Sequence, residues 1–226
     1  MQKKRSKIIK DLIMDKINVL QAMQSLSFML EDINDAESEI KKWVNNEING
    51  YKNQSDIPEY RKTNAILMGN VQVGYSLYKN INIPLADKKA IELLTKIQIK
   101  EPLSIVMQLA KAEIESENHS LLLDANIAIV NYYQQTNGDV ISASRHLSIY
   151  TYNNILTLIK DKLLDIFKVL EENYGNLDEL YIDFSDDTKK EEVVKQIQSI
   201  VYNDNSISIG NNNKIDDSIV GDGNEN

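Results

Sequence analysis

Apolar side chains recur at the spacing of an α-helix over long stretches of the chain, and this spacing constrains the fold most. The clearest stretch begins at Thr151 and ends before Gly175, with an apolar stripe formed by Ile155, Ile159, Leu163, Ile166, Phe167 and Leu170. A similar stripe runs from residue 8 to residue 30, and Asn18 is placed to divide it into two helices. We therefore predict a mainly α, multi-helix domain.

Three further helix starts follow from local signals. Asn34 with Glu37 three residues later resembles a capping box, and the helix that it starts is expected to end at Gly50. Asp87 is expected to open a helix that passes through Ile97. The third start is Pro102, which suits the first position of a helix that reaches residue 115.

The middle of the chain predicts a small β element. Between Ile66 and Tyr75, apolar and polar residues nearly alternate among two glycines, which is typical of strands or a hairpin. Short strands are also expected at Leu121–Leu123 and Val140–Ile149. Residues 125–135, between these two strands, are ambiguous, with a helix as one possibility.

Charge and composition argue against several classes of partner. The chain has 226 residues with 34 acidic and 25 basic side chains, a net charge of −9, so we do not expect nucleic acid as a partner. The basic start (Lys3, Lys4, Arg5, Lys7, Lys10) is expected to be a solvated helix N-terminus. We expect neither a signal peptide nor a membrane span, since no long apolar run occurs. The absence of cysteine fits a cytoplasmic protein.

The most informative candidate residue is Glu47. At 100° per residue, Glu47 falls near the centre of the apolar helix face formed by Ile40, Trp43, Val44 and Ile48. A carboxylate there is costly unless it is paired, and Arg61 is the natural partner across the turn at Gly50. Three interpretations stay open: a structural ion pair that fixes the turn, a functional acid or ligand-sensing pair, and a carboxylate that reaches solvent.

The same stretch carries a family resemblance. Trp43, Glu47, Gly50 and Tyr51, followed by Pro58, Tyr60 and Arg61, resemble the W-x-x-x-E-[LI]-x-G-Y and P-x-Y-R signature of the AbiTii family of prokaryotic abortive-infection and conflict systems. The resemblance spans residues 6–180. It ends in a helix that contains Lys160, at a position where the family is expected to have arginine, and lysine lacks the planar guanidinium that a two-bond contact requires.

The resemblance implies a component of an anti-phage abortive-infection system. We expect a non-enzymatic sensor, adaptor or assembling effector, with a possible protein partner from the same system. One alternative is a toxin-like nuclease that uses Glu47, Arg61 and the neighbouring tyrosines. Another is a membrane-perturbing effector that assembles through its tail.

No recognised catalytic motif accompanies this stretch. Nucleotide-, dinucleotide- and hydrolase-type motifs are lacking, and the two histidines, His119 and His146, lack a metal-ligand spacing. We therefore predict no catalytic residues, no cofactor and no metal. His146 is expected to be a surface or packed residue, with a general acid or base as the less favoured interpretation.

The C-terminal residues are different in character. We expect a helical domain at 6–180, a connector with a short helix (Val193–Tyr202) at 181–203, and a β tail at 204–226. A Ser-Ile…Gly-x-x-Asn phrase occurs twice in the tail, as in short β-solenoid rungs. Such rungs would bury their apolar residues only in a homo-oligomer, and a flexible polar tail is the alternative. The residues expected to oligomerise are Ile207, Ile209, Ile215 and Ile219.

Overall fold

A computed structural model describes most of the chain, and its elements are helices with two small sheets. The described residues are 5–33, 39–115, 120–135, 137–148 and 150–202. The helices are α1 (Lys7–Ile13), α2 (Val19–Met29), α3 (Glu39–Asn49), α4 (Lys88–Thr95), α5 (Leu103–Glu115), α6 (Ile127–Tyr133), α7 (Thr151–Tyr174) and α8 (Asp187–Tyr202). The strands are β1 (Lys62–Asn64), β2 (Ile66–Val73), β3 (Ser76–Asn82), β4 (Lys96–Gln98), β5 (Ser120–Asp124) and β6 (Asp139–Ser148).

The long helix α7 lies at the centre of the main hydrophobic core. Its predicted stripe is confirmed, since all six residues that form the stripe are buried. Helices α1, α2, α5 and α8 pack against α7, and α3 packs against α2, α5 and α8. Because Val193, Ile197 and Val201 of α8 lie in this same core, the last described helix is packed onto the helices that precede it.

The predicted break at Asn18 is also confirmed. The Asn18 side chain accepts a hydrogen bond from the Gln21 backbone N–H, and the Gln21 side chain accepts one from the Asn18 N–H. This capping box satisfies two N–H groups at the start of α2, which favours a new helix over a continuation of α1. The helix start predicted at Asn34 lies outside the described residues, while the predicted end at Gly50 is observed.

The β element is a four-stranded antiparallel sheet with the order β3-β2-β6-β5. Its first two strands form the predicted hairpin, with Gly74 in the left-handed region at φ +59°. Helices α4 and α6 pack on this sheet, and its own small core contains Leu67, Val71, Ile83, Leu94, Val130 and Val140. A separate antiparallel pair, β1 with β4, directly follows the short turn that ends at Arg61.

Two helix boundaries differ from the sequence prediction, and one ambiguous segment is resolved. Helix α4 ends at Thr95, so Ile97 lies in β4, where residues 96–98 pair with residues 62–64. Helix α8 begins at Asp187 instead of Val193, because the Asp186 carboxylate accepts a hydrogen bond from the Lys189 N–H and caps the helix. The ambiguous residues 125–135 contain the short helix α6, which Asn126 caps.

Among the helices of the described ranges, none combines the length and the apolar character that crossing a membrane requires. The predicted β-solenoid tail, with Ile207, Ile209, Ile215 and Ile219, lies outside the described residues.

Candidate functional site

The candidate site is built on the buried face of α3. Ile40, Trp43, Val44 and Glu47 share this face, and all four are buried. The Glu47 carboxylate has no exposed surface. The position of Glu47 on an apolar stripe, which the sequence indicated, therefore corresponds to complete burial, and the interpretation that it reaches solvent is wrong.

The turn after α3 requires glycine. Gly50 has φ +89°, in the left-handed region that side-chain-bearing residues rarely adopt. A Cβ atom at this position would lie 2.9 Å from the carbonyl oxygen of Lys100. The next residue, Tyr51, donates its backbone N–H to that same oxygen at 2.8 Å. The close approach of the two chain segments thus fixes the direction in which the chain leaves α3.

Arg61 returns to Glu47 from a short 3₁₀ turn (Glu59–Arg61) that follows Pro58. The Arg61 Nη2 donates to Glu47 Oε2 at 2.5 Å, and Nε donates to Glu47 Oε1 at 3.1 Å. Both side chains are 0 % exposed. This is the two-bond geometry in which a guanidinium binds a carboxylate most strongly. The contact predicted from the sequence is therefore present.

Two tyrosines and a tryptophan complete the hydrogen bonding around the carboxylate. Tyr51 and Tyr60 both donate their hydroxyls to Glu47 Oε1, at 2.5 and 2.6 Å. The Tyr60 hydroxyl also accepts a hydrogen bond from Trp43 Nε1 at 2.8 Å. The Arg61 guanidinium carbon lies 5.1 Å from the centre of the Tyr51 ring, within range of a cation–π contact. We call these five residues (Trp43, Glu47, Tyr51, Tyr60, Arg61) the buried network.

The remaining donors of Arg61 bind a distant part of the backbone. Its Nη1 donates to the carbonyl oxygens of Ile99 and Glu101, at 3.2 and 2.8 Å. The Ile99 N–H in turn donates to the Arg61 carbonyl at 2.8 Å. Through one side chain, α3 and the segment that leads from β4 into α5 are held together.

Burial and charge act together on the ionisable members of the network. Burial, then the nearby Glu47 carboxylate, raise the pKa of Tyr51 and the pKa of Tyr60 above the ordinary tyrosine value. Burial alone would lower the pKa of Arg61, but the charge of Glu47 and its hydrogen bonds outweigh burial and raise it. Both tyrosines therefore stay protonated as donors, and Arg61 stays charged, at physiological pH.

The complete burial of Glu47 and Arg61 limits the reactions that the buried network could catalyse. A substrate cannot approach Glu47 or Arg61 without separating α3 from the turns that cover it, since neither side chain has exposed surface. Removing one partner of such a pair costs about 3–5 kcal/mol, because the other charge stays buried and unpaired. The network is thus suited to fixing the positions of elements, and its geometry supports the structural interpretation of the pair.

A cavity of about 320 Å³ adjoins the outer side of the network. Trp43 and Tyr60 form part of its wall, and Tyr202 at the end of α8 closes one side. The Tyr202 hydroxyl donates to Glu39 Oε2 at 3.1 Å, and burial together with this hydrogen bond raises the pKa of Tyr202 to about 12. A Lys42–Asp56 ion pair lies on the rim at 2.9 Å. We call this the aromatic cavity.

A second polar cluster, centred on Glu171, was not predicted. Glu171 Oε1 accepts hydrogen bonds from the Ser6 N–H at 2.5 Å and from the Ser6 hydroxyl at 2.6 Å, and Arg5 binds Oε2 at 2.8 Å. The Ser6 hydroxyl also accepts the Leu177 N–H at 3.0 Å. These contacts hold the start of α1 against the end of α7. The Arg5 side chain is 52 % exposed while it makes this contact, so the solvated helix N-terminus expected from the sequence also carries an ion pair.

The sequence held one signal for this cluster. Glu171 is the last residue of the closing-helix pattern that also contains Lys160, and a glutamate at the end of an apolar stripe needs a partner. Its partners lie 165 and 166 residues away, too far for local spacing to identify them. Lys160 itself binds Asp15 Oδ1 at 2.5 Å and so connects α7 to the turn after α1. A single ammonium makes this contact, so a planar guanidinium is not needed for it.

The other candidate residues lie apart from the network. His146 is on β6, and its Nε2 lies 3.1 Å from the Ser144 hydroxyl. His119 and the tail isoleucines are outside the described residues. Within the part of the chain that the structure describes, no group of three or more acidic, histidine or cysteine side chains is arranged to hold a metal ion.

A comparison with protein families gives a match. The family model of AbiTii matches residues 6–197, which includes the buried network and most of α8. Neither the search of curated proteins nor the search of solved structures gives a significant match.

Proposed function

The chain belongs to the AbiTii family, and from that premise we propose that it acts in the cytoplasm as a non-enzymatic module of an abortive-infection system. In this proposal it is a sensor, adaptor or assembling effector, and it changes state or partner when phage infection occurs. Its signature residues serve to hold a binding surface in one shape.

One observation carries this proposal. The two charged residues of the family signature, Glu47 and Arg61, form hydrogen bonds with each other. Glu47 also accepts hydrogen bonds from Tyr51 and Tyr60, and Arg61 also donates to backbone carbonyls. A general acid or base must reach its substrate, whereas these groups are 0 % exposed. Their arrangement supports a scaffold that fixes the relative positions of α3, the Pro58 turn and the start of α5. The aromatic cavity lies beside this scaffold.

The proposal includes assembly through the tail. Ile207, Ile209, Ile215 and Ile219 alternate with small polar residues, which suits strands that bury one side in a homo-oligomer. The described part of the chain ends with α8, whose last residue lines the aromatic cavity. In this proposal residues 204–226 form an oligomerising unit separate from the helical domain, and a partner protein from the same system binds the assembly.

The direct test is phage challenge of bacteria that express the gene together with any neighbouring partner gene. We expect a lower phage yield than in cells that carry an empty vector. The purified chain is tested in parallel with RNA and DNA, and we expect no cleavage. Cleavage that disappears in Arg61→Met, with the fold preserved, would replace the proposal by the nuclease alternative. Equal plaque counts with and without the gene across a broad phage panel would contradict a defence role.

Assembly through the tail is tested by measuring the molar mass of the protein in solution. Light scattering of the full-length chain and of a chain that ends at Tyr202 should give a larger assembly only for the full-length chain. A matched control replaces the four tail isoleucines by serine and leaves the length unchanged. The same number of subunits in all three proteins would remove the assembly step from the proposal.

A further inference from the structure

The last turn of α8 (residues 199–202) lies against the aromatic cavity, and we call this turn the latch. Val201 and Tyr202 both line the cavity. The chain continues from the latch into residues 203–226, which contain the segment that assembles in the proposed function. We propose that the latch is an autoinhibitory contact, which holds the start of the tail on the helical domain and so restrains assembly. This inference rests on the assembly step of the proposed function.

Lys162 of α7 makes the main polar contact with the latch. Its amine donates to the carbonyl oxygens of Ile200 and Val201, at 2.7 and 3.1 Å. The last carbonyls of a helix have no partner within the helix, and a cation at this end also interacts favourably with the helix dipole. Lys162 therefore stabilises the helical conformation of the latch. Val201 is only 2 % exposed, so its burial also favours the closed position.

The same amine connects the latch to the buried network. Lys162 Nζ lies 5.6 Å from the centre of the Tyr60 ring, within range of a cation–π contact. Tyr60 donates its hydroxyl to Glu47 and also lines the aromatic cavity. The position of the amine that caps α8 thus depends on the residues of the family signature, which gives the helical domain a means of controlling the latch.

Tyr202 makes the contact on the side of α3. Its hydroxyl lies 3.1 Å from both the carbonyl oxygen and Oε2 of Glu39, the first residue of α3. Tyr202 is 51 % exposed, so water competes for this hydrogen bond and its net contribution to stability is small. The latch is therefore held by a few contacts, and one of them can break without a large loss, as a reversible contact requires.

Release of the latch lengthens the connection between the helical domain and the tail. While the latch is closed, the tail begins directly at the surface of the domain, because α8 is packed up to its last residue. Four residues span about 6 Å in a helix and about 13 Å when they are extended. Release thus lets each domain lie about 7 Å further from an assembled tail, which reduces crowding between neighbouring domains.

The test uses the fluorescence of Trp43, the only tryptophan of the chain, which lines the aromatic cavity and is 3 % exposed. Acrylamide quenches this fluorescence only when it reaches the indole ring. Lys162→Met removes the cap of α8 and should open the cavity wall that the latch forms. We expect the quenching constant of the purified full-length chain to rise about twofold in this variant, since helix ends open easily once their contacts are lost.

The matched control is Lys160→Met. Lys160 lies two residues away on α7 but binds Asp15, so its removal should leave the quenching constant unchanged. Tyr202→Phe is a second site variant that removes only the hydroxyl contact with Glu39, and it keeps the test valid if Lys162→Met is poorly folded. Amide hydrogen exchange should be faster at residues 199–202 in both site variants and unchanged in Lys160→Met.

Light scattering of the same full-length proteins separates the latch from the assembly step. Assembly of the site variants at a roughly tenfold lower protein concentration than Lys160→Met, together with faster exchange of the latch, supports the inference. Equal quenching and equal exchange in the site and control variants overturn the latch. A released latch with unchanged assembly overturns the autoinhibitory role, while the comparison of the full-length and shortened chains still tests assembly itself.

Discussion

The guanidinium of Arg61 binds both carboxylate oxygens of Glu47 at a place where neither side chain has any exposed surface. The two lie 14 positions apart in the sequence, and the turn at Gly50, where φ is +89°, together with the Pro58 turn brings them together. Because Arg61 also binds the carbonyls of Ile99 and Glu101, the pair connects three segments of the chain. The stability of this region is therefore expected to depend on the pair as a unit.

Arg61→Met should lower the free energy of unfolding by about 3–5 kcal/mol, because it leaves the Glu47 carboxylate buried without its counter-charge. Chemical denaturation followed by circular dichroism measures this loss. Lys168→Ala is the control, since it removes a surface ion pair with Asp165 and should change stability by about 0.5 kcal/mol or less. Equal effects of the two substitutions would show that the buried pair has no special role.

Adding Glu47→Gln to Arg61→Met should recover part of the lost stability. The glutamine keeps an oxygen that accepts from Tyr51 and Tyr60, while the uncompensated charge is removed. Buried pairs that are replaced as a pair often cost little, in contrast to the removal of one partner. Denaturation curves of the single and double variants provide the comparison, and a double variant that is less stable than Arg61→Met would contradict the argument.

Gly50→Ala should destabilise the fold more than Gly74→Ala. Both glycines have a positive φ, +89° at Gly50 and +59° at Gly74, so an alanine is strained at either position. A Cβ at Gly50 also meets the Lys100 carbonyl at 2.9 Å, whereas the space around Gly74 is empty within 4 Å among the described atoms. We expect about 1–2 kcal/mol from strain at either site and an additional loss at Gly50. Thermal melting of both variants measures the difference, and similar melting temperatures would contradict it.

Tyr60→Phe should cost about 1–3 kcal/mol, because it removes a donor to Glu47 and leaves the Trp43 indole N–H without its acceptor. The control is Tyr75→Phe at the exposed tip of the β hairpin, where no loss is expected. Trp43 is the only tryptophan of the chain, so its fluorescence reports the change directly. Unfolding curves that coincide for the two variants would exclude a role of Tyr60 in the network.

Glu171 should make stability depend on pH at the acidic end. Burial alone would raise the pKa of Glu171, but hydrogen bonds from Ser6 and the charge of Arg5 outweigh it and lower this pKa below the ordinary 4.5. A lowered carboxylate pKa stabilises the folded state above the unfolded value, and this contribution is lost as pH falls through the folded value. Compared with Glu171→Gln, the wild type should thus be more stable at pH 7, with the difference shrinking below pH 4.5. A difference that stays constant from pH 7 to the acid range would contradict the assignment.

The sequence predicts those parts of the fold that depend on interactions between residues close together in the chain. The stripe from Ile155 to Leu170, the capping box at Asn18 and the hairpin around Gly74 each follow from spacing or turn chemistry within a few residues. The pairing of Glu47 with Arg61 can also be predicted from the sequence, since a buried carboxylate requires a nearby cation. The AbiTii resemblance, expected from the signature residues, is confirmed over residues 6–197.

The features that the sequence does not predict depend on contacts between distant segments. Ile97 continues an apolar helical pattern, yet residues 96–98 form a strand because β1 offers them a partner. The carbonyls that Arg61 binds, and the Ser6 and Arg5 groups that bind Glu171, come from segments that no spacing rule connects. The start of α8 precedes its predicted position because the charged residues after Asp186, which are typical of a connector, are helical here.

The central claim is that the buried network supports a non-enzymatic module by holding its shape. The most direct measurement is the plaquing efficiency of phage on cells that express the Glu47→Gln/Arg61→Met double variant, under conditions where its folded fraction matches that of the wild type. We predict that defence persists, since neither charge acts on a substrate. A double variant that is folded at wild-type level but gives no reduction in phage yield would contradict the claim, because the charges would then be needed for the activity itself.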